Sequence, residues 1–232
     1  MKIKNKSALA VAAVVPLFLG STAGATSLPN NLAQSQAIAQ IQISNRITRL
    51  DNLTNRVNIS LTITASDRSA LLAIYGNSST GDIADLNALS AKVATETTVS
   101  GVQTDLHTLY STYRIYAVVA PQSDLVLAAD TETSVINVMT GLEPGLSAII
   151  KSGGSTSAAT ADYNQYLADI SAAQTDVGSI SSQALGLTPA LFNQDRSGTI
   201  TLIQSDWKSI KAGQASLLAA RAEIDAIITS AG

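Results

Sequence analysis

Residues 110–122 read YSTYRIYAVVAPQ, and the choice between helix and strand at this stretch decides the fold class. As a helix, Tyr110, Tyr113 and Ala117 share one face. The β-branched residues favour a strand, but no second β-rich run is available to pair with it, and a lone strand leaves its backbone groups without partners. The stretch therefore predicts a helix through about Ala117. That helix should end before Pro121, because proline disfavours the α conformation in the residue ahead of it.

Two interpretations of the tyrosines in this stretch stay open. Tyr110, Tyr113 and Tyr116 flank Arg114, and together they could form an aromatic binding patch with Arg114 as its cation. Alternatively, the rings pack as a knot where two helices meet, and the Arg114 head extends to solvent. Tyrosines at helical spacing usually pack, which favours the second interpretation.

The composition of the 232-residue chain favours an all-α fold. Aromatic residues make up 4% of the chain and charged residues 13%. A core with so few large rings is built from Ala, Leu, Ile and Val, which suits close-packed helices better than a β-sandwich. The length suffices for one good-sized domain or two small ones.

Residues 1–25 have the three parts of a signal peptide. Three lysines within the first six residues precede an apolar run at 8–19, and Ala23-Gly24-Ala25 fits the small-x-small cleavage pattern. The apolar run is too short to span a bilayer comfortably, although an uncleaved anchor is the rival interpretation. We therefore expect export to the extracellular space or the cell envelope, with a mature chain that begins at Thr26.

The mature chain carries few chemical signals. It keeps 11 basic and 17 acidic residues with no basic cluster, so nothing supports nucleic-acid binding by counterion release. It has no cysteine, which excludes thiolate catalysis and Cys-ligated metals. No later apolar run approaches 18 residues, so we expect no transmembrane anchor in the mature chain.

Apolar stripes in alternating steps of three and four residues predict an antiparallel bundle of five or six helices with coiled-coil-like seams over 26–232. The first helix should start at Ser35, after a flexible lead-in at 26–34, and the last at about Thr199. Arginines beside the first stripe should form a solvated basic flank. The first stripe is Ile43, Ile47, Leu50, Thr54, Val57 and Leu61, and the last is Ile203, Trp207, Ile210, Gln214, Leu217, Arg221, Ile224 and Ile228.

Polar and proline-containing segments predict where the helices begin and break. Thr64 starts a variant capping box. The segment GNSSTG at 76–81 predicts a defect within a long helix, with a short loop as the alternative. Proline at 144 predicts a break or kink within 141–145. The Gly/Ser-rich segment 151–157 is the clearest linker, either a subdomain boundary or a bundle loop, and a helix should follow at 159–185.

One segment has the spacing of a calcium-binding loop. Residues 193–204 read NQDRSGTITLIQ and resemble an EF-hand loop, with Gly198 at the tight turn. The last position is Gln204 in place of the usual bidentate Glu, so little negative charge would face the ion. A turn that caps the last helix is therefore the favoured interpretation. The candidate calcium ligands are Asn193, Asp195, Ser197 and Thr199.

The remaining titratable residues give no catalytic motif. His107 and Asp105 are two positions apart and do not face each other on a helix, which predicts a solvated histidine. The pairs Asp82/Asp85 and Asp162/Asp169 should lie on exposed helix faces, and only burial together would let them act as acids or bases. No nucleophile motif, phosphate loop or zinc pattern accompanies them, so we expect neither an enzyme nor a cofactor.

Two short motifs carry a resemblance to a known family. One is YRIYAV at 113–118 with Pro-Gln at 121–122, and the other is LTP at 187–189 ahead of the last helix. With them, most of 40–230 resembles an uncharacterised family of exported helical proteins from actinobacteria and candidate-phylum bacteria. The resemblance implies helices and export, and no activity. The last helix of this chain is less charged than the pattern of that family.

The sequence thus predicts a secreted or envelope-associated helical protein that binds or supports a partner of unknown identity. The partner would be a protein, an envelope component or a further copy of the chain. The alternatives are an enzyme with a dispersed carboxylate site and a weak calcium-binding module.

Overall fold

The computed structural model describes residues 31–231, and this part of the chain is all-α, as the sequence predicts. The signal peptide expected at 1–25 lies outside the described residues. None of the described helices is long and apolar enough to cross a membrane.

Nine α-helices and two single-turn π-helices make up the described residues. In chain order they are α1 (Leu32–Ile59), α2 (Ala65–Tyr75), α3 (Gly81–Thr95), α4 (Val99–Thr108), the first π-segment (Leu109–Tyr113), the second π-segment (Ile115–Val119), α5 (Ala120–Ser152), α6 (Ser157–Val177), α7 (Ile180–Leu185), α8 (Pro189–Gln194) and α9 (Arg196–Ala231).

Helix α1 begins earlier than the sequence predicts. The Asn31 side chain accepts hydrogen bonds from the backbone N–H groups of Ala33 (2.9 Å) and Gln34, so residues 32–34 are helical and not part of a flexible lead-in. Leu61, expected on the apolar stripe, lies beyond the helix and is 99% exposed. The side of α1 that is buried consists of Ser35, Ala39, Ile43, Arg46, Leu50, Leu53 and Val57.

A tight turn separates α2 from α3, so the single long helix expected across 76–81 is wrong and the short-loop alternative is right. Gly76 and Gly81 both have φ near +69° (69° and 68°), a conformation that other residues rarely adopt. Between them the Asn77 N–H donates to the Thr80 carbonyl at 2.8 Å. Thr64 begins α2 as predicted, because its side chain accepts from the Asp67 N–H.

Neither proline in the middle of the chain ends a helix. Pro121 lies in the first turn of α5, where a missing N–H removes no intrahelical bond. The predicted stop before Pro121 is therefore wrong. Pro144 lies inside α5, which continues to Ser152, so of the break or kink predicted at 141–145 the break is wrong and the kink stays a prediction. The 33-residue α5 packs against α1, α6, α7 and α9.

Helices α5, α6 and α9 pack along one another. The Glu132 side chain accepts from Gln214, and Gly153 abuts the Ala231 carbonyl, so α5 and α9 run in the same direction. Helix α6 returns against both, since the Thr156 hydroxyl donates to the Ser230 carbonyl at the far end of α9. Helix α6 is thus antiparallel to α9 and α5, while α5 and α9, on either side of α6 in the chain, are parallel to each other.

The helix predicted at 159–185 is interrupted, and the last helix starts earlier than predicted. Residues 178–179 form a turn between α6 and α7, and α9 starts at Arg196 in place of Thr199. The buried side of α9 is also rotated relative to the predicted stripe. At four of the eight predicted positions, the residue immediately before is the buried one. Its buried residues are Thr199, Ile203, Asp206, Ile210, Gly213, Leu217, Ala220, Ile227 and Ala231.

The α2–α3 turn yields the first testable prediction. We expect Gly76→Ala to lower the free energy of unfolding by about 1–3 kcal/mol, because a Cβ at this positive φ would collide with the Thr80 carbonyl. Gly141→Ala is the matched control, since its Cβ would meet nothing within 4 Å on α5. That control should raise the free energy of unfolding by about 0.5–1 kcal/mol. Urea denaturation of both variants measures the difference, and equal stabilities would contradict the turn geometry.

Candidate functional site

A buried arginine lies at the centre of the tyrosine-rich stretch. Arg46 of α1 is 5% exposed, and its guanidinium lies 4.9 Å from the Tyr110 ring centre and 5.1 Å from that of Tyr116. The same group donates to the carbonyl and side-chain oxygens of Gln42. Burial lowers the pKa of Arg46, and the neighbouring tyrosines act in the opposite direction. The cation between these two rings is thus Arg46 and not Arg114, and the solvated flank expected for the α1 arginines is wrong here.

Arg114 faces a different neighbour. It lies between the two π-segments with φ 46° and ψ 34°, the left-handed conformation that costs a non-glycine residue about 1 kcal/mol. Its guanidinium lies 5.0 Å from the Phe192 ring centre, and its Nε donates to the Asn193 side chain at 2.9 Å. Asn193 in turn donates to the Ser111 carbonyl, so these contacts attach the junction of the two π-segments to α8.

Tyr113 faces a third set of residues, at the start of α3. Burial raises the pKa of Tyr113, and the carboxylates of Asp85 and Asp82 raise it further. The four residues predicted to form one aromatic binding patch therefore lie in three different environments. Only Tyr110 and Tyr116 share a neighbour. Tyr116 is also 50% exposed and donates to the Asn45 carbonyl at 3.2 Å.

The other two arginines of α1 bind a carboxylate of α5. Arg49 and Arg56 both reach the buried Asp124, Arg49 at 3.4 Å. Beside this pair the Tyr75 hydroxyl donates to Ser123 at 2.5 Å. Burial raises the pKa of Tyr75 to about 12, so the phenol stays protonated. This polar cluster connects α1, α2 and α5, and its groups are engaged with one another.

The residues of the calcium-like loop lie on either side of a helix boundary. Asn193 belongs to α8 and is bound to Arg114, while the Asp195 carboxylate accepts from the Gly198 N–H at 2.8 Å at the start of α9. Ser197 and Thr199 lie within α9, and the Thr199 hydroxyl donates to the Asp195 carbonyl. Calcium binding by these residues stays a prediction. Within residues 31–231, no cluster of three or more His, Asp or Glu side chains could hold a metal.

The remaining predicted acids and bases are apart. His107 is exposed, while Asp105 is buried and paired with Lys92. Asp162 accepts from the Ser230 hydroxyl, and Asp169 from Gln165. At the start of α3, by contrast, Asp82 is half-buried, and burial together with nearby Asp85 raises its pKa to about 6.

Sequence reasoning missed an apolar surface on α5 and α9. We call it the α5–α9 face. Its residues follow steps of three, four and seven along α5 and of four and three along α9, and several are large, aliphatic and exposed: Val138 (64%), Leu142 (44%), Leu218 (57%) and Ile228 (52%). A signal existed in the sequence, because Val138, Leu142 and Leu218 are apolar positions beside the buried ones, while Ile228 belongs to the stripe that was predicted to be buried. The face comprises Val135, Val138, Leu142 and Ile149 of α5 and Gln214, Leu218, Arg221, Asp225 and Ile228 of α9.

A small cavity opens between the two helices within this face. It has a volume of about 40 Å³, and its walls are mainly the aliphatic side chains of Val135, Met139, Leu217 and Leu218. Glu132 lies in the wall with its carboxylate bound to Gln214 at 2.8 Å, and burial raises the pKa of that carboxyl. The cavity can take the end of one aliphatic side chain, which gives this face a recess beside its projecting leucines.

Comparison with family models, with curated proteins and with solved structures gave no match.

The Arg46 contacts yield the second prediction. In a double-mutant cycle of Arg46→Met and Tyr116→Leu, we expect a coupling of about 0.5–2 kcal/mol in the free energy of unfolding, because a desolvated cation lies over the ring. Tyr116→Phe is the control. It keeps the ring and loses only the bond to Asn45, so the cycle of Arg46→Met with Tyr116→Phe should give a coupling near zero. A coupling near zero in the leucine cycle would show that the ring face contributes nothing.

The raised pKa of Asp82 yields the third prediction. The folded pKa of about 6 exceeds the unfolded value near 3.9, so the folded chain binds the proton more tightly. The contribution of Asp82 to stability should therefore rise as the pH falls from about 7 to about 4. Relative to Asp82→Asn, the wild-type chain should gain stability over this window, as measured by urea denaturation at each pH. The exposed Asp51→Asn is the control, and parallel curves for wild type and Asp82→Asn would contradict the prediction.

Proposed function

We propose that the chain is an exported helical protein that binds a partner, or supports one, through the α5–α9 face, and that it has no catalytic role. The observation that carries this proposal is the group of exposed aliphatic side chains on that face. Elsewhere along α5 and α9 such side chains are mainly buried, and contiguous exposed apolar surface is typical of interaction sites. The resemblance to exported helical proteins belongs to the same proposal.

The packing of the helices favours a role in which the protein acts as a support or scaffold for a partner. The buried positions of α6, of α9 and of α5 beyond Glu132 recur in steps of three, four and seven, which is the pattern of coiled-coil-like seams in a bundle. A bundle of this kind holds its surface helices in fixed relative positions. A rigid two-helix surface binds a partner without the entropic cost of ordering itself first.

The enzyme alternative depends on Asp82 and Asp85. Their proximity and the raised pKa of Asp82 are what a carboxylate site needs, but Asp85 is exposed. The calcium alternative depends on Asp195, whose carboxylate is engaged by the Gly198 N–H. Calorimetry with millimolar Ca²⁺ tests the latter: heat that disappears in Asp195→Ala would favour it over the proposed role.

Fractionation of the native cell tests export. We expect the protein in the medium, the wall or the membrane fraction, with Thr26 as its first residue by N-terminal sequencing. Protein that stays in the cytosol with its first 25 residues attached would overturn the export part of the proposal.

The fourth prediction concerns the face itself. In the same fractionation, we expect the Leu142→Asp variant to be recovered together with the partner in an amount about tenfold smaller than the wild-type chain. The physical reason is that a charge replaces an apolar contact. Leu61→Asp is the matched control, since Leu61 is 99% exposed and lies outside the face. Far-ultraviolet circular dichroism should show both variants folded. Equal retention of both would remove the α5–α9 face from the proposed function.

A further inference from the structure

We propose that the occupant of the α5–α9 face is the same face of a second copy of this chain, with α9 lying antiparallel across α9 of that copy. This inference rests on the proposed function, because it names the partner of that same face.

The charges of the face are complementary to themselves. Arg221 and Asp225 are both exposed on α9, four residues apart, and no salt bridge among residues 31–231 includes either of them. A two-fold axis near position 223 brings Arg221 of each copy opposite Asp225 of the other. In a symmetric dimer the same patch meets itself, so one such pair in the sequence gives two across the interface.

The register that pairs these charges also pairs the apolar side chains. Positions 218 and 228 are equally far from position 223, so Leu218 of one copy meets Ile228 of the other. Both are more than half exposed in the single chain, at 57% and 52%. Two exposed aliphatic side chains on each copy are therefore covered by the contact that pairs the charges.

The cavity receives the isoleucine. Leu217 and Leu218 form one wall of the cavity, and Val135 and Met139 of α5 form the other. Ile228 of the second copy lies opposite this position of α9, so its side chain enters the cavity as a knob enters a hole. The face thus has both the projection and the recess that a self-associating surface needs.

The choice of axis follows from the same charges. A two-fold axis parallel to the helices would place α9 of one copy over α5 of the other. Arg221 would then face the region of Met139 on α5, where the carboxylate one turn away is the half-buried Glu143 and the next, Glu132, is buried and two turns away. The antiparallel α9 pair is the arrangement that gives both exposed charges a partner.

Sedimentation velocity of the purified mature chain at micromolar concentrations is the test, and it constitutes the fifth prediction. The wild-type chain should sediment as a dimer. Arg221→Asp and Asp225→Arg should each weaken dimerisation by about tenfold or more, because each places like charges opposite one another. The double variant R221D/D225R restores the opposite charges and should recover the dimer. Ile228→Asp should be a monomer, whereas Leu61→Asp, outside the face, should remain a dimer.

Two results would overturn the proposal. One is a wild-type chain that sediments as a monomer throughout this range, and the other is a dimer that both single charge reversals leave intact. A monomer whose Leu142→Asp variant still loses its partner in the cell would remove the second copy as occupant and leave the proposed function standing. Circular dichroism of each variant separates loss of dimerisation from loss of folding.

Discussion

The structure depends on satisfying the polar groups that the first half of α5 buries. Gln122, Ser123, Asp124, Asp130 and Glu132 are all less than 9% exposed on one helix, and an unpaired polar group at such depth costs several kcal/mol. Each neighbouring element supplies partners for them. Arginines of α1 reach Asp124, the Tyr75 hydroxyl of α2 reaches Ser123, and the carbonyls at the end of α7 accept from Gln122. Helix α5 thereby determines where the surrounding helices lie.

This requirement explains why the same region has no free reactive groups. The Asp130 carboxylate accepts from the Thr64 N–H and from the Ser181 hydroxyl, which holds the α1–α2 connection and α7 together. Burial raises the pKa of Asp130, and that destabilisation is offset by these two bonds. Groups engaged in this way position helices. The proposed binding role instead uses the exposed aliphatic side chains on the outer side of α5 and α9.

Much of the fold could be predicted from local sequence, and the failures share a physical cause. Thr64 acts within four residues of itself, and the sequence predicts its cap correctly. The sequence predicts a helix stop before Pro121 and a break or kink at Pro144, but the first proline lies where no N–H is needed, and α5 continues through the second because packing around α5 overrides its local cost. The turn at 76–81 requires two glycines at positive φ, and the sequence shows glycines without showing their dihedral angles.

The site was harder to predict than the fold because it depends on contacts between distant residues. Arg46 and Tyr116 are 70 positions apart, and nothing near either residue indicates that they meet. The α5–α9 face combines two stripes that are close because α9 packs along α5, and the shared direction of the two helices sets which residues are neighbours. A sequence pattern identifies each stripe but gives no relative direction for the two helices.

The two π-segments also constrain the number of residues that connect α4 to α5. A π-turn holds one residue more than an α-turn, and a residue in a helix corresponds to about 100° of rotation. Deleting one residue within 109–119 would therefore rotate α4 relative to α5, and α1, which packs against α4, would lose its register with α5 and the contacts of Arg49 and Arg56 with Asp124. Substitutions in this stretch change single contacts, whereas a change in its residue count would separate the first four helices from the rest of the molecule.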